Sequence, residues 1–264
     1  MNLSISNIAW EAKYDDEMYV FLKEKKINGL EIAPTRIFQE APYDHLEEAH
    51  KWAKTLKNDY HLVIPSMQSI WYGHTERIFG SEEERKILID YTKKAILFAE
   101  SIECKNLVFG NPKNRDTDDI KKNMPIALDF FKEIGDFAFE HHTCIALEAN
   151  PPIYNTRFMN MTKQAVEMAY KVNSNGIKVN VDLGTILYNN ERLEYLTQIA
   201  EYINHIHISE PGLKCIARRE KNHSALLHFA KECVPDVFVS VEMGKQNIQK
   251  VKQVISYIKE LSNE

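Results

Sequence analysis

The chain has 264 residues, of which 44% are hydrophobic and 27% charged, and a formal net charge of −5. These values are those of an ordinary globular protein and exclude a disordered or low-complexity chain. Charges of both signs are interspersed and no apolar run approaches the roughly 18–20 residues of a membrane span, so neither nucleic acid nor membrane is an expected partner.

The N-terminus, Met1-Asn2-Leu3-Ser4-Ile5-Ser6, has no basic region, long apolar stretch or small-residue cleavage site. No secretory signal is visible and a cytoplasmic protein is expected. Short apolar runs rich in β-branched residues then predict strands at 3–8, 29–32, 62–67, 106–109, 144–147, 178–181, 205–208 and 237–241. Amphipathic stretches between them predict helices near 15–25, 43–57, 82–102, 117–140, 160–174, 192–202, 218–232 and 246–262. Ser81 before Glu82-Glu83-Glu84, and Thr117 before Asp118-Asp119, read as helix N-caps with acidic first turns. Eight strands alternating with eight helices, at about 33 residues a pair, fit a single (β/α)8 barrel domain over 1–264. A doubly wound nucleotide-binding sheet would want a glycine-rich turn after its first strand. Asn7-Ile8-Ala9-Trp10-Glu11 has no glycine, and neither GxGxxG nor GxxxxGK[ST] occurs. The four cysteines, Cys104, Cys144, Cys215 and Cys233, form no CxxC pair and read as buried thiols.

Residues of one parity share a strand face, and polar residues recur at the C-terminal ends of the proposed strands. Successive strands place Leu3, Ile5 and Asn7; Gly29 and Glu31; Ile64, Ser66 and Gln68; and Leu107, Phe109 and Asn111 on the face read as inward. The next four place Cys144, Ala146 and Glu148; Lys178, Asn180 and Asp182; His205 and His207; and Phe238, Ser240 and Glu242 there. Any one such residue is explained by the solvated loop that follows it. Three carboxylates and a histidine on four successive strands are not, because converging like charges in a barrel mouth are costly without a cation. Glu148, Asp182, His207 and Glu242 offer three oxygen donors and an imidazole, a set for one divalent ion: Mn²⁺ first, with Mg²⁺, Co²⁺ or Zn²⁺ as alternatives.

The segments Ala146-Leu147-Glu148-Ala149-Asn150, Val181-Asp182-Leu183-Gly184, His205-Ile206-His207-Ile208-Ser209-Glu210 and Ser240-Val241-Glu242-Met243 resemble those of the xylose isomerase-like (β/α)8 superfamily of sugar phosphate isomerases and epimerases. That group includes ketose 3-epimerases, hydroxypyruvate isomerases, inosose dehydratases and endonuclease IV. The resemblance spans nearly the whole chain and rests on the order of the motifs and their spacings of 34, 25 and 35 residues. It implies that Glu148, Asp182, His207 and Glu242 are metal ligands and that Glu148 and Glu242 are also the acid/base pair. Ketose 3-epimerases carry a histidine three residues after the aspartate and an arginine six after the histidine, where this chain has Thr185 and Leu213. Endonuclease IV has extra histidines where Gln68 and Asn111 stand here, so a trinuclear site is not expected.

Further candidates for substrate contact are Trp10, Gln68, Asn111, Asn150, Glu210 and Lys245, with Trp71 read on the same grounds as Trp10 and Lys214 on the same grounds as Lys245. In Gly110-Asn111-Pro112-Lys113-Asn114-Arg115, Lys113 and Arg115 are paired cations that read either as anchors for a phosphate or carboxylate or as solvated loop charges. His141-His142 reads as surface. The expected activity is isomerisation or epimerisation of a small carbohydrate, with a dehydratase as the alternative and a non-catalytic sugar or metal sensor third. Self-association into a homo-oligomer is left open.

Overall fold

Seven parallel strands form one sheet in the computed structural model, which describes residues 1–263. They are β1 (Asn2–Ser6), β2 (Gly29–Glu31), β3 (Leu107–Phe109), β4 (Ile145–Glu148), β5 (Ile177–Asp182), β6 (Ile203–Ile208) and β7 (Phe238–Val241), in the order β2-β1-β7-β6-β5-β4-β3. The two edge strands, β2 and β3, are joined by the segment expected as a strand at 62–67. Leu30 N–H donates to the Val63 carbonyl (2.9 Å) and Ile32 N–H to Ser66 (3.1 Å), while Val108 N–H donates to Met67 (2.8 Å). The barrel therefore closes, but through isolated bridges at Val63 and Met67 rather than a regular eighth strand. Pro65 explains the correction: it has no N–H to give and interrupts the ladder at its centre.

The helices are α1 (Asp15–Glu24), α2 (Pro34–Ile37), α3 (Leu46–Thr55), α4 (Glu82–Ser101), α5 (Ile120–Glu140), α6 (Thr162–Val172), α7 (Leu183–Asn189), α8 (Glu220–Cys233) and α9 (Ile248–Leu261). Ser81 caps α4 with Glu84 answering in a full capping box, as its sequence predicts. Helix α5 starts later than expected. Asp119, not Thr117, accepts from Lys122 N–H as its N-cap, and the Thr117 hydroxyl takes the N–H of Asp119 and the Asn123 amide. The helix expected at 192–202 is two short 3₁₀ segments, Leu193–Gln198 and Ala200–Tyr202. The α-helix of that unit is α7, which begins directly at the Asp182 carboxylate. Among the described residues no helix is long and apolar enough to cross a membrane. Cys104 and Cys144 are buried thiols, but Cys215 is half-buried and Cys233 exposed at the end of α8, which corrects the expectation for those two.

Six of the eight assigned strand faces point inward as read. Two do not: the Ser4 hydroxyl meets Ser240 and Ser6 meets Gln68 inside the barrel, so β1 presents its serines inward and Leu3 and Ile5 outward. Likewise Asn106 bonds Ser66, and Val108 and Gly110 line the site cavity, while Phe109 packs outward on Phe130 and Phe131 of α5. In strands buried on both faces, alternation does not say which face is the interior.

Candidate metal and active site

The C-terminal ends of β4 to β7 each deliver one polar side chain to a common point. Glu148, Asp182, His207 and Glu242 each bring a ligand atom within 4.8 Å of all the others. His207 Nδ1 lies 3.1 Å from Glu148 Oε1 and 3.3 Å from Glu242 Oε2. Glu148 Oε1 also accepts from Asn180 Nδ2 (2.6 Å) and its Oε2 from Asn150 Nδ2 (2.9 Å). Glu242 Oε1 accepts from Gln68 Nε2 (2.8 Å), which also donates to Ser6. Asp182 takes the Ser209 hydroxyl on one oxygen and the Thr185 N–H on the other (2.6 Å), so the residue that caps α7 is also the one aimed at the cluster. A cavity of about 260 Å³ opens onto Glu148, Asp182 and Glu242, with Asn111, Tyr154 and Leu213 among its walls.

The electrostatics show the cost of this arrangement. Burial, with Glu148 and Glu242 beside it, pushes the Asp182 carboxyl up to about 7. Burial also holds Glu242 above the usual carboxylate range, while at Glu148 the opposing hydrogen bond from His207 and the Asn150 and Asn180 amides win and hold it below. His207 resists burial and sits well above an ordinary histidine because Glu31 and Glu242 face it. Protonation at Asp182 removes one negative charge and protonation at His207 adds one positive charge, and both relieve the repulsion among the carboxylates. A divalent cation satisfies the same need with the same donors, so this set of oxygens and one imidazole fits such an ion.

The other expected contacts divide. Gln68 and Asn150 are present as donors to the two glutamates, and Asn111 lines the cavity with its Nδ2 unpartnered and its backbone at φ 41°. Lys113 and Arg115 do not share a surface: Lys113 is exposed, whereas Arg115 is 0% exposed. Arg115 Nη2 donates to Asn150 Oδ1 (2.8 Å), while Nε and Nη1 have no partner, and burial pulls its pKa down to about 9. It thus stands behind Asn150, which in turn holds Glu148. Glu210 is buried in a bidentate pair with Arg219 (2.8 and 3.0 Å) and fixes the loop after β6. Trp10, 1% exposed, donates to Asp15 and carries Arg36 over its ring; with the exposed Lys245 it borders a separate chamber of about 690 Å³ that touches the site through Ser69. Trp71 is core, bonded to Thr92, and His141 pairs with Glu100 on the outer surface. Tyr154, at the end of a short 3₁₀ turn (Pro152–Tyr154), has no periodic signal in the sequence. Glu31 and Asn180 lie on the inward faces expected for their strands and join the cluster through His207.

Arg115 carries a prediction. Arg115→Met removes a buried, poorly paired cation, which costs several kcal/mol to bury, and gives up one charge-assisted hydrogen bond of about 1.5–3 kcal/mol. The melting temperature is expected to hold or rise, while turnover falls about 10-fold or more as Asn150 and Glu148 lose their alignment. A lower melting temperature with turnover retained would make Arg115 a support of the loop only.

The chain belongs to the xylose isomerase-like TIM barrel family, whose model matches residues 21–259. Among solved structures, it is similar to 3-keto-D-glucoside 4-epimerase YcjR from E. coli (TM-score 0.78, 14% identity, 98% of this chain and 99% of that one). It is as similar to D-psicose 3-epimerase from Clostridium cellulolyticum (TM-score 0.78, 12% identity, 100% and 98%). The probable 3-DHS dehydratase AsbF from Bacillus anthracis also matches (TM-score 0.72, 16% identity, 100% and 99%). At these identities the likeness is one of fold. No curated protein matches the chain.

Proposed function

We propose that the protein is a divalent-metal-dependent isomerase or epimerase of a small sugar or sugar phosphate, working by proton transfer through an enediolate between Glu148 and Glu242. The observation that carries this reading is the pair itself: two buried glutamates on β4 and after β7, whose carboxylates lie 3.1 and 3.3 Å from His207 Nδ1 and open onto one cavity. One of the two would take the proton from a C–H next to a carbonyl and the other would deliver one. Glu148, Asp182, His207 and Glu242 would hold the ion, Mn²⁺ by preference, and when bound it supplies positive charge to two adjacent substrate oxygens. Gln68 and Asn150 keep the two carboxyls aimed, and the cavity of about 260 Å³ takes a small substrate.

One observation favours a second reading. Leu213 lines the cavity and the Thr185 hydroxyl is turned away to the Ala149 carbonyl, so the histidine and arginine grip of ketose 3-epimerases has no counterpart. If the substrate carries a leaving hydroxyl beside the carbanion, the same base makes the protein a dehydratase. Product analysis after incubating Mn²⁺-loaded protein with keto sugars, sugar phosphates and keto acids of cyclic polyols separates the two. Isomeric products of unchanged mass support the isomerase, loss of water with new ultraviolet absorbance supports the dehydratase, and no turnover on the whole panel opposes both.

A further inference from the structure

Glu31, at the end of β2, is the one carboxylate of the barrel interior, among the described residues, that touches neither the cavity nor the outer surface, with 0% exposure. Its Oε2 faces two imidazoles from the same side of β6: His205 Nε2 at 3.0 Å and His207 Nε2 at 2.9 Å. Its Oε1 lies 3.3 Å from Gln68 Nε2, the amide that also donates to Glu242. The same His205 Nε2 also lies 2.9 Å from Ser240 Oγ, which in turn meets Ser4. An ionised carboxylate only accepts, so His207, whose Nε2 is hydrogen-bonded to Glu31 Oε2, carries a hydrogen on that nitrogen. For His207 this decides which nitrogen is free to coordinate. With Nε2–H committed to Glu31, Nδ1 faces the Glu148–Asp182–Glu242 cluster as an acceptor, 3.1 Å from Glu148 Oε1 and 3.1 Å from Asn180 Nδ2.

We propose that Glu31 is a positioning residue for the metal centre, a buried clamp that fixes the tautomer and ring plane of His207 so that Nδ1 is its coordinating atom. The inference rests on the metal site proposed above and adds a residue that lies outside it. Carboxylate partners of this kind set a ligand's basicity and orientation, and their loss typically costs about 10–100-fold in metal affinity. The same three side chains, Glu31, His205 and His207, also lie close enough to hold an ion of their own. Their hydrogen-bonding atoms facing one another are paired, and none of the three lines a described cavity, which favours the clamp.

The test uses the full chain and Zn²⁺ as a diamagnetic probe. Calorimetric titration of wild-type protein should give one ion per chain, and ¹⁵N NMR of the histidine rings should show His207 protonated at Nε2 and coordinated through Nδ1. Glu31→Gln, which keeps an amide oxygen before the imidazoles but removes the charge and sets its NH₂ against the Gln68 amide, should weaken Zn²⁺ binding about 10–100-fold with circular dichroism unchanged, and Glu31→Asp should recover part of it. Equal affinity in Glu31→Gln, coordination through Nε2 in the wild type, or a second ion lost in Glu31→Gln would each overturn the clamp while leaving the four-residue site standing. No ion in the wild type would overturn both. Should Glu31→Gln not fold, the wild-type NMR assignment and ion count still decide.

Discussion

Glu148→Gln and Glu242→Gln, assayed with saturating divalent ion, should each lower kcat by about 10²–10⁴-fold, the range that positioned acid/base groups contribute. The amide keeps the shape of the carboxyl and removes the basic oxygen. At Glu148 one of the two amide donors, Asn150 or Asn180, loses its acceptor, a cost the fold absorbs within about 1–3 kcal/mol. At Glu242 the Gln68 amide keeps an acceptor if the new side chain turns its oxygen toward it. Because the two groups serve one proton transfer, the double variant should be scarcely slower than either single one. Both glutamates are also expected ligands, so metal content must be measured alongside. A variant that binds the ion and turns over at the wild-type rate would remove that residue from the chemistry.

The second large effect is the response of stability to metal and pH. Asp182 titrates near 7 in the folded protein, against about 3.9 for an ordinary aspartate, so between these values the folded state keeps a proton that the unfolded chain has lost. Its contribution is complete at low pH and disappears as pH rises toward 7. His207, raised well above 6.5, runs the same way, its share being lost as pH climbs through its folded value. Glu148 runs the opposite way, its share being lost only as pH falls below the usual carboxylate range. Metal-free protein is therefore expected to lose stability from about pH 4 through 7 and beyond. Divalent ion, which replaces these protons, should add little at pH 5 and much at pH 8, about 2.7 kcal/mol at one hundred times its Kd. Melting curves with and without Mn²⁺ across this range check it. A metal-induced shift that shrinks as pH rises would contradict the assignment of Asp182 and His207.

The parts of this site that the sequence revealed are those on strands whose two faces differ chemically. On β4, β5, β6 and β7 the alternation ends in Glu148, Asp182, His207 and Glu242, and the charge itself marks the inward face. On β1 serines alternate with leucine and isoleucine, both sets are buried, and the polar set proved to be the inner one. The segment around Pro65 has the composition of a strand, yet lacks the central N–H, a fact that was legible and outweighs the β-branched residues beside it. Arg115 shows the reverse limit. A basic residue on a loop reads as solvated or substrate-facing, and only the packing of the chain around it reveals that it is sealed behind Asn150. Helix α7 escaped notice because Leu183, Gly184, Thr185 and Ile186 are all buried and leave no amphipathic period to read.

Proton exchange is the most direct test of the central claim, because it reads the chemistry of Glu148 and Glu242 whatever the product. Mn²⁺-loaded protein would be incubated in D₂O with each sugar, sugar phosphate and keto acid of the substrate panel, and deuterium followed at the carbon beside the carbonyl. The account predicts incorporation with at least one substrate, abolished by chelation and by Glu148→Gln. No incorporation with any of them, or incorporation that survives in Glu148→Gln and Glu242→Gln alike, would contradict it.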